Sequence, residues 1–194
     1  LAQGLTPQPY SLATIAARAP HRNRPSTRHV ESRARRRRRR KPRAPAAWLA
    51  TAEAVAEFEP VTLLAHASTV EQVRGKVSSL VDVVEAELDD GWLRDSGPTF
   101  VVDEADGSLA AVQWVFNAWG GIQEHGLDAR LGAVVAERAG VRAVPSSLVN
   151  EGGGICVDGE GTVIVTETVQ LHERRNPGWT RQQVEDELAR TIGA

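Results

Sequence analysis

Cysteine, methionine and long apolar runs are scarce or missing in this chain. Cys156 is the only cysteine among 194 residues, so no disulfide can form within the chain, and we expect a reducing, cytoplasmic environment. No stretch of about 18 consecutive apolar residues is present, so we expect no membrane-spanning helix. The first residues lack the basic-then-apolar pattern of a secretion signal. These absences favour a globular, cytoplasmic protein that does not use a membrane.

The charge of the chain is divided unevenly. Residues 1–47 contain 13 of the 23 Lys and Arg residues but only one of the 25 acidic residues, Glu31. Large apolar side chains are also sparse there, so the segment buries too little surface to offset the entropy lost on ordering. We therefore predict that residues 1–46 form a disordered, Arg-rich segment.

The run Arg35–Arg40 within this segment allows several interpretations. Such a run can bind RNA, DNA or anionic lipid through release of counterions. No aromatic residue is interleaved in it for base stacking, so we do not expect a nucleic acid partner. The run is also typical of a solvated tail, or of a stretch translated in a shifted frame from GC-rich DNA. A non-catalytic, basic-tailed nucleic-acid-binding protein is the alternative function of another class.

From Trp48 onward, strand-like runs alternate with amphipathic stretches at intervals of about 50 residues. The turn sequence EADGS between two of the strand-like runs predicts a hairpin. The predicted strands are VTLLAH, LVDVVEAEL, PTFVVD, LAAVQWVF, VRAVPSSLV and TVIVTETV. The predicted helices are AAWLATAEAVAEFEP, TVEQVRGKV, LDARLGAVVAERAG and TRQQVEDELARTIG. This order indicates an α/β fold of repeated ββαβ-like modules.

Three glycine-containing loops at strand ends carry the candidate functional groups. Glycine permits tight turns and close approach of a ligand, and polar residues at strand ends often serve function. The loops are WLRDSGP (92–98), NAWGG (117–121) and NEGGGICVDGEGT (150–162). Each also has a purely structural interpretation: Asp95 caps a turn or pairs with Arg94, Trp92 and Trp119 pack in a core, and GEGT forms a turn between strands.

Two familiar types of site are not indicated. The GGG sequence is followed by neither GK[ST] nor a predicted helix, so it is not a phosphate-binding P-loop. The histidines His66, His125 and His172 are scattered and form no HxH or HExxH pattern, so no metal site is predicted.

Taken together, WLRDSGPTFVV, VFNAWGG, NEGGGICVDGEGTVIVTET and RRNPGWTRQQVEDEL resemble successive motifs of the agmatine deiminase and bacterial peptidylarginine deiminase family. The resemblance runs in order from about Glu57 to the C-terminus. It implies an incomplete pentein-type α/β propeller, of the guanidino-group-modifying superfamily, built of ββαβ-like modules. On this basis residues 47–194 are the N-terminal part of a deiminase α/β-propeller domain, preceded by the disordered basic segment 1–46.

The resemblance also implies site residues. Its substrate class is a guanidinium, a planar cation that carboxylates bind bidentately and that a tryptophan face can cover. In the family, the aspartate of WxRDxGP and the glutamate of EGG contact the guanidinium. These match Asp95 and Glu151, which are therefore the predicted catalytic and substrate-binding residues. Trp92 matches the aromatic residue of the substrate pocket, and Arg94 is interpreted as a structural partner.

The implied reaction is hydrolysis of a guanidine C–N bond through a cysteine thiolate, with a histidine that moves protons and no metal or organic cofactor. With agmatine the products are N-carbamoylputrescine and ammonia, a step toward putrescine and polyamines. Peptidyl-arginine is the alternative substrate. The expected partners are a small guanidino substrate and, for the full-length protein, further copies of itself as a homo-oligomer.

The sequence departs from the family in its chemistry-bearing residues. The family histidine lies in a later GHxD-type motif and the nucleophilic cysteine lies later still, and neither motif occurs in these 194 residues. We therefore expect the chain to be a fragment that is inactive by itself. Cys156 follows EGGGI but is interpreted as a small packed thiol, not as the nucleophile.

Three geometric expectations follow. Asp95 and Glu151 should converge on one concave site, with carboxylates within roughly 10 Å of each other if both grip one guanidinium. Trp92 should border the same hollow. Repulsion between the two carboxylates should raise the pKa of at least one of them.

Overall fold

The computed structural model describes residues 5–7, 13–17 and 44–194. The run Arg35–Arg40 and most of the segment predicted to be disordered lie outside these residues, so the expectations about disorder and nucleic acid binding there stay predictions. Within the described ranges, no helix is both long and apolar enough to cross a membrane. The same ranges contain no group of three or more His, Cys, Asp or Glu side chains that could hold a metal ion.

The strands of the described residues are short, and most lie where alternating apolar patterns predict them. They are β1 (Leu5–Pro7), β2 (Ala13–Ala17), β3 (Val61–Ala65), β4 (Val81–Glu85), β5 (Thr99–Asp103), β6 (Leu109–Val115), β7 (Arg142–Val149), β8 (Cys156–Val157) and β9 (Val163–Ile164).

Three of the described α-helices are longer than two turns, and the others are single turns near loops. The helices are α1 (Ala44–Ala56), α2 (Val70–Arg74), α3 (Leu93–Ser96), α4 (Ala118–Gly121), α5 (Leu131–Ala139), α6 (Glu167–Gln170) and α7 (Arg181–Ile192). Two 3-10 turns, Asp128–Arg130 and Gly152–Gly154, complete the set among the described residues.

Two compact units divide these elements. The first contains residues 5–7 and Glu87–Ala194, and the second contains residues 13–17 and 44–86. In the second unit β2, β3 and β4 form a parallel sheet in that order. Helix α1 covers this sheet, and Ala52 of the helix lies in a core cluster with Leu63 of β3. The parallel order follows from the helical connections, since parallel neighbours need a crossover.

The first unit carries the loops of interest. Its sheet has the order β1-β5-β6-β7, with antiparallel pairs β1–β5 and β5–β6 and a parallel pair β6–β7. Helix α5 connects the parallel pair and ends at Gly140, whose φ of 66° is the left-handed conformation of a helix C-terminus. The elements β5, β6, α5 and β7 therefore form one ββαβ module, as the sequence predicts.

Helix α7 completes the core of the first unit. It begins at Thr180, whose side chain accepts a hydrogen bond from Gln183 N while the Gln183 side chain accepts one from Thr180 N. Val184, Leu188 and Ile192 lie four residues apart on one face and are buried in the core cluster that also contains residues of β5, β6 and β7.

Two details of the structure differ from the predictions. Strands β1 and β2 and the start of α1 fall within residues 1–46, where only disorder was predicted. The prediction averaged charge over the whole segment, whereas the uncharged stretch Ala13–Ala17 precedes the arginines and pairs in parallel with β3. The predicted strand TVIVTETV is wrong beyond Ile164: among the described residues β9 pairs only with β8, and the chain then turns into α6.

The prediction of a complete module pattern and of a propeller has a mixed outcome. The described residues form a mixed α/β structure with sheets and helices, and one ββαβ module is present in the first unit. The second unit is a parallel βαβαβ arrangement instead. The propeller itself therefore stays a prediction.

Glu187 ties α7 to β7 and gives the unit a measurable acid sensitivity. Its carboxylate accepts hydrogen bonds from Arg190 Nε at 2.8 Å, Ser146 Oγ at 2.7 Å and Ser147 N at 3.1 Å. The hydrogen bonds from Arg190, and to a lesser degree those from Ser146 and Ser147, lower the pKa of Glu187 to about 2.

Replacing Glu187 by glutamine is expected to lower the free energy of unfolding by about 1 kcal/mol at pH 7, a figure discounted for solvent screening. The pKa of the carboxyl is lower in the folded state than its ordinary value of 4.5, so its contribution is present above pH 4.5 and is lost as pH falls toward 2. Urea titrations between pH 7 and pH 3 should show the difference between wild type and variant shrinking. The exposed Glu185→Gln is the matched control, and a difference that grows on acidification would contradict the assignment.

Candidate active site

Asp95 lies in the single turn α3, directly before β5. The turn follows Trp92, whose carbonyl oxygen accepts hydrogen bonds from Asp95 N at 2.9 Å and Ser96 N at 3.0 Å. Gly97 closes the turn through a bond from its N to Leu93 O at 2.8 Å. The Gly-Pro step then starts the extended strand β5. This local sequence leaves the Asp95 side chain half-buried at the end of a strand.

The Asp95 carboxylate rests against the glycine turn that follows Glu151. The backbone N–H of Gly153 donates to this carboxylate, and a methyl group added at Gly153 would overlap Asp95 Oδ1. Burial raises the pKa of Asp95, while the bond from Gly153 and the charges of Arg94 and Arg175 lower it. The pKa of Asp95 is therefore raised, as expected, but the main cause is burial and not repulsion by a neighbouring carboxylate.

Glu151 occupies the end of the segment after β7 and is paired with an arginine. Arg175 Nη1 donates to Glu151 Oε1 at 2.7 Å and to Oε2 at 2.6 Å. The side chains of Arg175 and Glu151 are only 8% and 6% exposed. Arg175 therefore pairs directly with Glu151, and its charge also acts on Asp95.

Asn176 fixes the relative position of the segments that carry Glu151 and Arg175. Its Oδ1 accepts from Val149 N at 2.8 Å, and its Nδ2 donates to Val149 O at 3.0 Å and to Gln170 O at 2.8 Å. Asn176 is 2% exposed, so these bonds are shielded from water. An asparagine that replaces backbone pairing in this way holds residues 149–151 against residues 174–176.

Trp92 is half-exposed beside a strained aromatic loop. Its indole Nε1 donates to Asp90 Oδ2 at 3.1 Å, and its ring meets the edge of Trp119 with centroids 6.2 Å apart. Trp119 in turn packs edge to face against Phe116 at 5.5 Å. Trp92 is 52% exposed, so the alternative that it packs in a core is wrong. Its exposed ring is available to a cation.

The NAWGG loop adopts a conformation that side chains rarely accept. Ala118 and Trp119 have φ values of 50° and 56°, and Gly120 has a φ of 95°. Asn117 holds this turn: its Oδ1 accepts from Gly120 N at 2.9 Å and its Nδ2 donates to Arg174 O at 2.8 Å. The loop is thereby fastened to the segment that carries Arg175, and strain of this kind is often retained at functional sites.

Asp128 anchors the loop in front of Trp92. It is 1% exposed, and its carboxylate accepts from Asp89 N at 2.7 Å and from Asp90 N at 3.1 Å. In the other direction, Asp89 Oδ2 accepts a hydrogen bond from Leu127 N, the residue before Asp128, at 2.8 Å. Burial raises the pKa of Asp128 and the two backbone bonds lower it. Sequence inspection missed Asp128, since no motif distinguishes it from a surface aspartate.

An open hollow of about 930 Å³ lies next to this loop, but not around the predicted carboxylates. Its lining includes Asp89, His125 and Arg130, and excludes Asp95, Glu151 and Trp92. The expectation of one concave site around Asp95 and Glu151 is therefore not met by this hollow. The Asp95 carboxylate lies instead against Gly153 of the Gly152–Gly154 turn, which follows Glu151 and is exposed to solvent at Gly153.

Cys156 is exposed, so the interpretation of a packed thiol is wrong. It lies in the two-residue strand β8 opposite Ile164, and Ile164 is itself 67% exposed. The hairpin β8–β9 has no third strand among the described residues, so this face of it meets solvent.

Comparison with known proteins identifies the lineage. The family model of the Porphyromonas-type peptidyl-arginine deiminases matches residues 28–194. The chain is 50% identical over 151 residues to a candidate agmatine deiminase of Streptomyces avermitilis. The matched region covers 76% of this chain and 43% of that protein. The chain is 45% identical over 149 residues to the agmatine deiminase of Pseudomonas savastanoi pv. phaseolicola, covering 73% and 40%.

A solved structure agrees with this. The agmatine deiminase of Enterococcus faecalis superposes with a TM-score of 0.73 at 30% identity, covering 77% of this chain and 42% of that one. The mixed α/β architecture of the chain is the one that this relative shares. The chain belongs to the Porphyromonas-type peptidyl-arginine deiminase family, and it spans about two fifths of the length of these relatives.

Proposed function

We propose that this chain forms the guanidinium-binding part of an agmatine deiminase-like hydrolase. The observation that carries the proposal is the half-buried Asp95 carboxylate, held by Gly153 N–H beside the Arg175–Glu151 pair. A guanidinium offers several N–H donors to such a carboxylate, and the charge-assisted bonds that result are strong in a partly desolvated place.

Trp92 supports the same ligand chemistry. Its half-exposed indole begins the turn that bears Asp95, three residues before it. An exposed aromatic face can cover a cation, which would favour a guanidinium over a neutral urea. The names of the related proteins, which are agmatine deiminases, agree with an alkyl-guanidine substrate.

In the proposed reaction of the whole enzyme, agmatine and water give N-carbamoylputrescine and ammonia. Asp95, and beside it Glu151, bind and orient the guanidinium so that its central carbon is open to attack. The thiolate and the proton-carrying histidine of the reaction are assigned to motifs that these 194 residues do not contain. Cys156 is the only cysteine present, and we do not give it the role of nucleophile.

Calorimetric titration of the chain with agmatine tests the proposal. N-carbamoylputrescine is the matched control ligand, because it keeps the aminobutyl tail but replaces the charged guanidinium by a neutral urea. We expect agmatine to bind at least about tenfold more tightly, since charge-assisted hydrogen bonds to the carboxylate are lost with the urea. Equal affinity for the two ligands would refute guanidinium binding. If the chain released ammonia from agmatine and a Cys156→Ser change abolished that release, Cys156 would be the nucleophile and our assignment would be wrong.

Peptidyl-arginine remains a second candidate substrate because the matching family model carries that name. The two candidates share the guanidinium and differ at its far end. Titration with an N-acylated arginine amide beside agmatine distinguishes them: tighter binding of agmatine favours the small substrate, and tighter binding of the amide favours the peptide.

A further inference from the structure

The RRNP sequence at residues 174–177 brings a buried guanidinium to the proposed site. Arg175 places one nitrogen, Nη1, within 2.7 Å of both carboxylate oxygens of Glu151. Both side chains are more than nine-tenths buried. A buried ion pair is costly to desolvate, and removal of one partner leaves an uncompensated charge. An arginine at this place therefore needs an explanation beyond surface charge.

The surrounding backbone holds Arg175 in place from both sides. Asn176 bonds to both backbone polar groups of Val149, two residues before Glu151. On the other side, Arg174 O accepts from Asn117 Nδ2 of the NAWGG loop. The backbone nitrogen of Arg175 donates to His172 O at 2.8 Å, and this hydrogen bond closes the turn. The guanidinium is thus presented to Glu151 by a frame that links three of the sequence motifs.

Asp95 lies within the electrostatic reach of the same guanidinium. The charge of Arg175 favours the ionised form of Asp95, and so does that of Arg94 on the same turn. Asp95 also contacts Gly153, which is two residues after Glu151. One arginine therefore pairs directly with Glu151 and also acts on Asp95 through its charge.

We propose that Arg175 is a positioning residue of the guanidinium site: it holds the Glu151 carboxylate in one orientation, and its charge also acts on Asp95. This inference rests on the proposed function. A ligand guanidinium then meets two acceptors that are already ordered, so less of its binding free energy is spent on organising them. Arg175 does not itself contact the substrate in this assignment.

A competing role for Arg175 would change ligand affinity in the opposite direction. If the Arg175 guanidinium instead occupied the place of the substrate guanidinium, it would compete with the ligand, and its removal would tighten binding. Substitution of Arg175 separates these two roles directly.

Three variants make the test. Arg175→Gln removes the charge, Arg175→Lys keeps the charge but loses the planar guanidinium, and Arg181→Gln is the matched control at an exposed arginine of α7. We expect agmatine affinity, measured by calorimetry at pH 7, to fall about tenfold in Arg175→Gln and less in Arg175→Lys, and to be unchanged in Arg181→Gln. Unchanged or tighter binding in Arg175→Gln overturns the proposal.

A second measurement does not depend on agmatine binding. NMR titration of the Asp95 carboxyl in the ligand-free chain should show its pKa rising in Arg175→Gln, since the charge of Arg175 lowers that pKa, as do the Gly153 hydrogen bond and the charge of Arg94. Arg181→Gln should leave the titration unchanged, and no rise in Arg175→Gln overturns the proposal. If the wild type does not bind agmatine, the proposed function fails while this titration still decides the role of Arg175. If Arg175→Gln does not fold, Arg175→Lys is decisive: because it keeps the charge but loses the planar guanidinium, wild-type agmatine affinity in this variant overturns the positioning role.

Discussion

Replacing Asp95 by asparagine is expected to weaken agmatine binding about 100-fold, which corresponds to about 2.8 kcal/mol. The amide has the size of the carboxylate and can still accept the bond from Gly153 N, so the turn should keep its shape. What is lost is the negative charge and one acceptor facing the guanidinium, and charge-assisted bonds of this kind are roughly twice as strong as neutral ones. Calorimetric titration with agmatine at pH 7 measures the effect.

The control for this substitution is Asp106→Asn in the exposed β5–β6 turn, where the carboxylate bonds to Ser108 N. It changes the net charge equally and should leave agmatine affinity unchanged. The pH dependence adds a second check. Burial raises the pKa of Asp95, so wild-type affinity should fall as pH drops through that raised value, and Asp95→Asn should lack this fall. A variant that binds as tightly as the wild type would remove Asp95 from the site.

The sequence predicts the regular elements of the fold because apolar spacing and turn residues agree there. The EADGS turn joins two alternating runs, and the structure pairs them as the antiparallel hairpin β5–β6. Gly140 and Gly193 both take the left-handed conformation at helix ends. The prediction for TVIVTETV is wrong beyond Ile164 because alternation cannot show whether a neighbouring strand exists, and in the part of the chain that the structure describes β9 pairs only with the two residues of β8.

The candidate site is predicted only in part, because local motifs show which residues lie in loops but not which distant residues pack against them. The motifs place Asp95 and Glu151 at loops, and the structure sets Asp95 against Gly153, two residues after Glu151, while their convergence on one guanidinium stays a prediction. The Arg175–Glu151 pair was missed because 24 residues separate its members, and only tertiary packing brings them together. The NAWGG conformation was more accessible: an asparagine followed three residues later by two glycines signals a tight turn, and Asn117 Oδ1 does accept from Gly120 N.

Replacing Gly153 by alanine is expected to reduce agmatine affinity by roughly 100-fold with little change in overall fold, since a misplacement of about 1 Å at a site has effects of this size. The added methyl group would overlap Asp95 Oδ1, so the carboxylate must move away from its present place. Its hydrogen bond from Gly153 N would lengthen or break at the same time. The φ of Gly153 is not positive, so the change introduces a steric conflict and not backbone strain. Calorimetry measures affinity, and near-UV circular dichroism reports whether the packing of the aromatic side chains is preserved.

Gly126→Ala is the matched control, because a methyl group there meets nothing within 4 Å and its φ is also not positive. It should leave agmatine affinity unchanged. The comparison separates two explanations of the glycine run after Glu151. If glycine serves only the turn, Gly153→Ala and Gly126→Ala should behave alike, because neither position requires a positive φ. If glycine is present so that the Asp95 carboxylate can lie directly on the backbone, only Gly153→Ala loses the ligand. Wild-type affinity in Gly153→Ala, with an unchanged dichroism spectrum, would show that the position of Asp95 in the structure is not the one that binds a guanidinium.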